Sequence, residues 1–464
     1  MAEPIIPTSP LWTLGEAAAA VGAPMAPTAD ADLALSGVSI DSRTLQTGDL
    51  FIALAGDPGP RFFTSSVGLR DGHDFVSAAA HGGAPAALVA QSVDSELVQL
   101  RVADTIDGLW ALGRAARVRN RGERFAITGS SGKTTCKGFL AAALGVPAAA
   151  GSLNNFWGVP LCLARTPREQ AAAVYEIGTN QPGEIKPLAE LVQPTIAILL
   201  NVHPAHIGHF QDMTQLHEEK LSINSYLPNY SKFVCEYSVA LAAGLAKDCV
   251  TFGSDRAATI RLRDMEGDRA TYESAHGEWV ARVPGGGEHR GLTLAAVVAA
   301  LLTAEQSIEP ALELAPGLVP AGRGDERLVE RGDGRRVVVV NDSYNANPAS
   351  MAAALADLAA RSGPRYAVLG DMGELGADSA TYHRALAEQC AALDGVFCVG
   401  SEMRRTFDGL PDSVRLGHAM NAAEVDLAIL ADQLPDAARV LIKGSNAVFW
   451  QADWCSRLIR ALET

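Results

Sequence analysis

The sequence predicts an α/β protein of three domains, and three observations carry that reading. Runs that are apolar on both faces, Ala173 to Ile177 and Thr195 to Val202, alternate with helical stretches, as in a parallel sheet covered on both sides. A glycine loop, Thr128-Gly-Ser-Ser-Gly-Lys-Thr-Thr135, sits between a strand and a helix. From Arg336 onward strands and helices alternate regularly, as in a small doubly wound, Rossmann-like domain. A chain of 464 residues, 48% of them hydrophobic, is long enough for several cores. The expected blocks are 1–102, 103–320 and 321–464.

In the first block, strand-like runs (Leu35 to Ile40, Leu50 to Leu54, Ala86 to Val89) are separated by Gly, Pro and Asp turns. Asp41-Ser42-Arg43 follows the first run, and Asp71-Gly-His-Asp-Phe75 opens a helix. The second block starts with a helix over Thr105 to Val118. Arg124 to Ile127 is then a short buried strand, and Lys137 to Ala143 the helix after the glycine loop. Pro284-Gly-Gly-Gly287 and Ala321-Gly-Arg-Gly324 punctuate the end of this block. The third block opens on a charged stretch near residue 325. It continues with strand Arg336 to Val340, helix Ser350 to Arg361, strand Tyr366 to Leu369, helix Ala380 to Leu393, and strands Gly395 to Val399 and Arg439 to Ile442.

The formal charge of −15 argues against a nucleic-acid or anionic-membrane partner. Seven cysteines are scattered and never form a CxxC pair, which suits a reducing cytoplasm. The N-terminal MAEPIIPTSPLW shows no basic leader, and no run is long enough to insert stably in a membrane. These features point to a cytoplasmic protein.

Gly129 and Gly132 let the loop turn so that backbone N–H groups face one concavity. Ser130 and Ser131 fill the turn, Lys133 brings a point charge, and Thr134 or Thr135 a hydroxyl for Mg2+. The following helix aims its positive end at the same place. Together they make a nucleoside-triphosphate cradle, with a shortened GxxGK[ST] spacing. Glu176 stands at a strand end, where a carboxylate can reach a phosphate-bound Mg2+; the bland alternative is a helix-cap partner. His203, His206 and His209, with His217, are too evenly spaced for the usual structural zinc patterns, and Pro204 interrupts them. One histidine at a strand end beside the phosphate loop is the reading that remains. Asn154-Asn155 can be turn chemistry or a substrate contact. Asn341-Asp-Ser-Tyr-Asn-Ala-Asn-Pro348, Leu369-Gly-Asp-Met-Gly-Glu-Leu-Gly376 and Ile442-Lys-Gly-Ser-Asn446 are polar loops after three strands, which places a cleft at those strand ends.

Assembled, these residues resemble the Mur ligases of peptidoglycan synthesis over almost the whole chain. The resemblance rests on Gly37–Arg43, Gly48–Leu54, Asp71–Phe75, Thr128–Thr135, Asn154-Asn155, Glu176–Gly178, Asn201–His206, Glu219-Lys220, Asp342–Pro348 and Lys443–Ser445. It implies an N-terminal UDP-substrate domain, a central ATP-binding domain and a C-terminal ligase domain. The implied activity is ATP-dependent amide ligation through an acyl phosphate, in the branch that adds D-Ala-D-Ala to UDP-N-acetylmuramoyl-tripeptide. That branch is pointed to by the Asp-Ser-Tyr-Asn-Ala-Asn-Pro run and the Gly-Asp-Met-Gly-Glu-Leu-Gly loop. By the resemblance, Lys133 binds the β/γ-phosphates, Thr134 and Glu176 hold one Mg2+, and His206 serves a second. Lys220 is a carbamylated lysine in the family; by sequence alone it would be a solvated helix residue. Arg323, Asp342 and Asn345 clamp ATP. Asp41, Ser42 and Arg43 lie near the uridine diphosphate, Asn154 and Asn155 nearer the peptide, and Tyr344, Lys443 and Ser445 belong to the substrate set. The implied partners are the small-molecule substrates, and the working form is expected to be a monomer.

Two segments depart from the family. His289 is followed by Arg290, with Thr293 further on, where His-Asn and a later Asn contact adenine; Lys-Gly-Ser-Asn446 replaces Lys-Gly-Ser-Arg. The alternatives are another Mur-type amino-acid or polyglutamate ligase and, from a different class, a nucleotide-binding sensor that has lost catalysis.

Overall fold

A computed structural model describes residues 10–56, 70–149, 151–275 and 277–464. Residues 1–9, most of the N-terminal segment read above as carrying no leader, lie outside the described residues. The chain divides into two compact units: Met1–Thr128, Leu144–Ala197 and Leu221–Asn229 form the first, and Gly129–Ala143, Ile198–Lys220 and Tyr230–Thr464 the second.

In the first unit, strands Gly37–Ser39, Asp49–Ile52, Ala86–Val89 and Val98–Arg101 form a parallel sheet in that order. Every residue of Asp49–Ile52 and Ala86–Val89 is buried. Alternation explains this: Leu50, Ile52 and Leu88 pack into one core with Leu109 and Leu112, whereas Phe51, Ala53, Ala87 and Val89 pack into another with Val76. The Thr105–Arg119 helix starts where predicted because Asp104 Oδ1 accepts from the N–H groups of Ile106 (2.7 Å) and Asp107 (3.1 Å). Strands Glu123–Thr128 and Ala172–Glu176 pair in parallel, which sets Glu176 opposite Ile127.

The second unit carries two sheet regions. Strands Phe233–Glu236, Val250–Gly253 and Ile260–Glu266 pair in parallel, then Arg269–Ser274 and Gly277–Arg282 add antiparallel. The Glu288–Thr303 helix follows, with Leu294 to Leu301 fully buried. The C-terminal sheet has six strands in the order Asp325–Glu330, Arg336–Asp342, Ala438–Lys443, Arg365–Gly370, Gly395–Val399, Arg415–Ala419. Only the first pairing is antiparallel, so the charged stretch near residue 325 is an edge strand, where charge is tolerated and discourages further pairing. The strands that end at Asp342, Lys443 and Gly370 are neighbours, so their polar loops emerge at one edge. Helix Pro348–Ala359 starts with a capping box between Asn347 and Ser350 and with proline in its first turn.

The helix after the glycine loop needs correction. It runs Lys133–Leu144, four residues earlier than predicted, because Gly132 (φ +79) completes the turn and releases the chain into helix at the lysine. Among the described residues no helix is long and apolar enough to cross a membrane.

Candidate active site

The glycine loop leaves the Glu123–Thr128 strand and is braced from the chain segment after the Ile196–Leu199 strand. Asn201 Oδ1 accepts from the backbone N–H groups of Ser130 and Ser131, both at 3.0 Å, and Asn201 Nδ2 donates to the Ser131 carbonyl at 3.3 Å. Ser130 Oγ donates to the His203 carbonyl at 2.8 Å. A Cβ at Gly129 would stand 3.0 Å from Leu200 Cβ, so a side chain there would press on this segment. Two loop N–H groups are thus committed to Asn201. A phosphate would meet the loop from Gly132 into the first turn of the Lys133–Leu144 helix, at the positive end of the helix dipole. Lys133 Nζ donates to the Gly129 carbonyl at 2.7 Å, which keeps its charge over the same loop. Sequence reasoning gave Asn201 no role; its position within a run shared with the family was the available signal.

A cavity of about 320 Å3 adjoins the loop. Its walls include Ser130, Ser131, Gly132 and Thr135 together with Arg323, Asp342, Asn345 and Lys443. The sequence-predicted phosphate loop and the predicted ATP clamp therefore meet in one cavity. Arg323 Nη2 donates to Thr134 Oγ1 at 3.2 Å, and its guanidinium lies 4.2 Å from the Tyr344 ring centre, a cation–π contact. Lys443 Nζ donates to Asp342 Oδ2 at 2.6 Å and to the Asn345 carbonyl at 3.1 Å. Lys443 thus stands on the phosphate-loop cavity as a buried partner of Asp342. Ser445 gives its backbone N–H to the Asp371 carbonyl at 2.9 Å, and Asn446 Nδ2 donates to the Tyr344 carbonyl at 3.3 Å.

Lys220, in the Met213–Leu221 helix, is 2% exposed. Burial pushes its amine down to about 7, Lys133 adds to that, and Glu219 opposes it. The solvated reading that its sequence alone suggested is overturned. His206 sits in the left-handed region (φ +58) and bonds through Nδ1 to Glu374, in the loop after Arg365–Gly370. That bond holds the Glu374 carboxyl below the usual carboxylate range. Gly208 N–H also donates to the Glu374 carbonyl at 3.1 Å, so the Gly-Asp-Met-Gly-Glu-Leu-Gly loop is seated on the histidine segment.

In the first unit, Glu176 is buried and Asn154 Nδ2 donates to its Oε1 at 2.7 Å. Asn155 Oδ1 accepts from the Gly158 N–H at 3.0 Å, at the start of the Gly158–Ala164 helix. The asparagine pair thus does turn chemistry and positions the carboxylate. A second cavity, about 590 Å3, is lined by Asp41, Ser42, Arg43, Arg70, Phe156 and Trp157, among others. Arg43 holds Asp41 with two bonds, Nε to Oδ1 at 2.9 Å and Nη2 to Oδ2 at 2.7 Å. The pair lowers the Asp41 carboxyl below its ordinary value.

Comparison with known proteins agrees with this geometry. Residues 127–301 match the Mur ligase middle domain, and residues 326–446 the Mur ligase glutamate ligase domain. The chain is 33% identical over 465 residues to the UDP-N-acetylmuramoyl-tripeptide–D-alanyl-D-alanine ligase of Escherichia coli K12, covering 93% of this chain and 95% of that one. It is also 33% identical over 446 residues to the enzyme of the same name from Treponema pallidum, covering 89% and 91%. Among solved structures it is similar to MurF of Acinetobacter baumannii, with TM-score 0.80, 29% identity and coverage of 97% and 99%. MurF of Thermotoga maritima in complex with ADP gives TM-score 0.74 at 25% identity, covering 91% and 98%. The chain belongs to the Mur ligase family.

Proposed function

We propose that this chain joins D-Ala-D-Ala to UDP-N-acetylmuramoyl-tripeptide at the expense of ATP, in peptidoglycan precursor synthesis. One observation carries the reading: the phosphate loop and Arg323, Asp342 and Asn345 line the same cavity, so a nucleotide bound there is gripped from both sides. The overall chemistry transfers the γ-phosphoryl group to the terminal carboxylate of the tripeptide. The dipeptide amine then attacks the acyl carbon, and phosphate leaves as the amide forms.

The residues present fit a nucleotide with Mg2+. The loop glycines hold conformations that admit no bulky side chain, a threonine hydroxyl stands in the first helical turn, and Glu176 is a buried carboxylate, the oxygen donor a hard cation prefers. Thr134, Glu176 and His206 are the proposed ligands, with His206 serving a second ion. Mg2+, when bound, offsets charge on the phosphates. Lys133 contributes a preorganised charge to the phosphoryl group in flight, and Arg323 contributes a second from the other wall. Asn201 keeps the loop in shape for both.

Carbamylation of Lys220 fits the same site. The reaction needs an unprotonated amine and CO2, and an amine brought down to about 7 supplies the first. The carbamate exchanges a buried cation for an anion suited to metal. Asp41, Ser42 and Arg43 are proposed to meet the uridine diphosphate, and Asn154, Asn155, Tyr344, Lys443 and Ser445 to serve the peptide substrates directly or through their neighbours. The domain roles at 1–102, 103–320 and 321–464 follow. We place the protein in the cytoplasm as a monomer acting on small molecules.

Mass spectrometry of the product formed from ATP, D-Ala-D-Ala and UDP-tripeptide tests the reading, with meso-diaminopimelate and lysine tripeptides run in parallel. A product heavier by the dipeptide less water, with stoichiometric phosphate, is expected. Phosphate release without that product, or product with a single amino acid only, would reject it.

A further inference from the structure

Arg290 departs from the family pattern, and the structure shows where its charge goes. It lies in the first turn of the Glu288–Thr303 helix and is 6% exposed. Its guanidinium turns back toward the start of its own helix. Nη1 donates to the carbonyls of Gly285 and Gly286, both at 3.1 Å. Nη2 donates to the carbonyl of Arg323 at 2.9 Å and, at the limit of bonding, to that of Gly324 at 3.5 Å. One planar group therefore serves two glycine turns far apart in sequence. A guanidinium suits this because its donors are fixed in a fork, whereas an ammonium is a single point.

Both turns are shaped around the arginine. A Cβ at Gly324 would stand 2.0 Å from Arg290 Nη2, and one at Gly285 3.2 Å from its Cζ. From the clasped backbone, the Arg323 side chain crosses the Tyr344 ring and reaches Thr134 Oγ1 at 3.2 Å. The path from helix to phosphate loop is thus Arg290, the Arg323 backbone, the Arg323 guanidinium, Thr134.

We propose that Arg290 is a positioning residue: it ties the Gly285–Gly287 turn to the 321–324 linker and so fixes the backbone from which Arg323 reaches the phosphate loop. This spends its donors on carbonyls and leaves adenine to other residues of the cavity. The kinetic consequence rests on the ATP-dependent reading above; the binding consequence does not.

The test compares R290K, R290Q, R323A and the double variant R290Q/R323A in the full chain. Calorimetric affinity for ADP and KM for ATP should weaken by about tenfold in R290Q, while KM for the UDP-tripeptide stays within about twofold. R290K should recover part of the loss. Because Arg290 acts through Arg323, the double variant should bind ADP no worse than R323A alone. Amide exchange over 321–325 should quicken in R290Q and not in R323A. If the wild-type chain makes no product yet the ADP cycle behaves in this way, the ligase reading fails and the clasp stands. Additive losses in the cycle, unchanged ADP affinity in R290Q, or failure of R290K to fold would each overturn the clasp, the last by making Arg290 a stability residue alone.

Discussion

Beside the phosphate loop Lys443 and Lys220 are buried, whereas in the N-terminal cavity Arg43 is at the surface. The side chain of Lys443 is 3% exposed and bonded to Asp342, and Lys220 is sealed in its helix. Arg43 keeps 86% side-chain exposure and is paired with its neighbour Asp41. The difference follows the work assigned to each. Charge that must stabilise a short-lived phosphoryl group gains from low dielectric and fixed geometry. Charge that recognises a diphosphate before chemistry can remain hydrated and adapt. The comparison teaches that substitutions in the first region should act on turnover and folding, and those in the second on substrate affinity.

The largest effect is expected at the phosphate loop. Lys133→Ala should lower kcat by at least about a hundredfold, the scale of losing one preorganised stabilising group, with thermal melting unchanged. Near-normal kcat in a folded variant would erase the distinction between the two regions.

Lys220→Ala should be almost inactive and partly rescued by acetate or formate, which return a carboxylate to the site. The pH dependence has a defined sign. Burial takes this amine down to about 7 from its ordinary value of 10.5, so the neutral, CO2-reactive form grows as pH rises through about 7. At constant dissolved CO2, carbamate and activity should increase from acidic to mildly alkaline pH. Carbamate-dependent activity that falls over that interval would contradict the assignment, and 13C-labelled CO2 with NMR detection checks it directly.

Lys443→Met removes one partner of a buried pair and should cost stability, toward the lower end of about 3–5 kcal/mol because the Asp342 side chain keeps 19% exposure. Urea unfolding measures this. No change in midpoint would show that the pair is not structural.

The smallest effect is expected at the exposed pair. Arg43→Ala should leave the melting temperature unaltered and raise KM for the UDP substrate a few-fold without touching kcat. A large fall in kcat there would break the contrast from the other side.

The features legible in the sequence were those written in local spacing. The glycine loop, the capped helix at Thr105, the strands of valine and alanine, and the polar loops at neighbouring strand ends all declare themselves within about ten residues. What was hidden depends on distant partners. Asn201 bracing Ser130, Asn154 holding Glu176, and Glu374 bonding His206 join segments that no periodicity connects. The strands over Ile260–Arg282 went unread because charged residues occupy much of both faces, as at Arg261, Arg263 and Asp264. Lys220 misled for a related reason. Its helix buries Glu219 and Lys220 beside Leu216, so polarity does not report exposure there. The resemblance to a family supplied what local pattern could not.

The central claim, that a dipeptide amine is the second substrate, is tested most directly by kcat/KM for D-Ala and D-Ala-D-Ala with one UDP-tripeptide. The polar loops Asp342–Pro348 and Lys443–Asn446 offer donors that a single amino acid would leave unpaired, at about 1–3 kcal/mol per buried group. Asn446 donates to the Tyr344 carbonyl where the family carries an arginine, so a weak KM for the dipeptide is expected along with the preference. At least about a tenfold higher kcat/KM for D-Ala-D-Ala is expected. Equal values for the two amines would contradict the account.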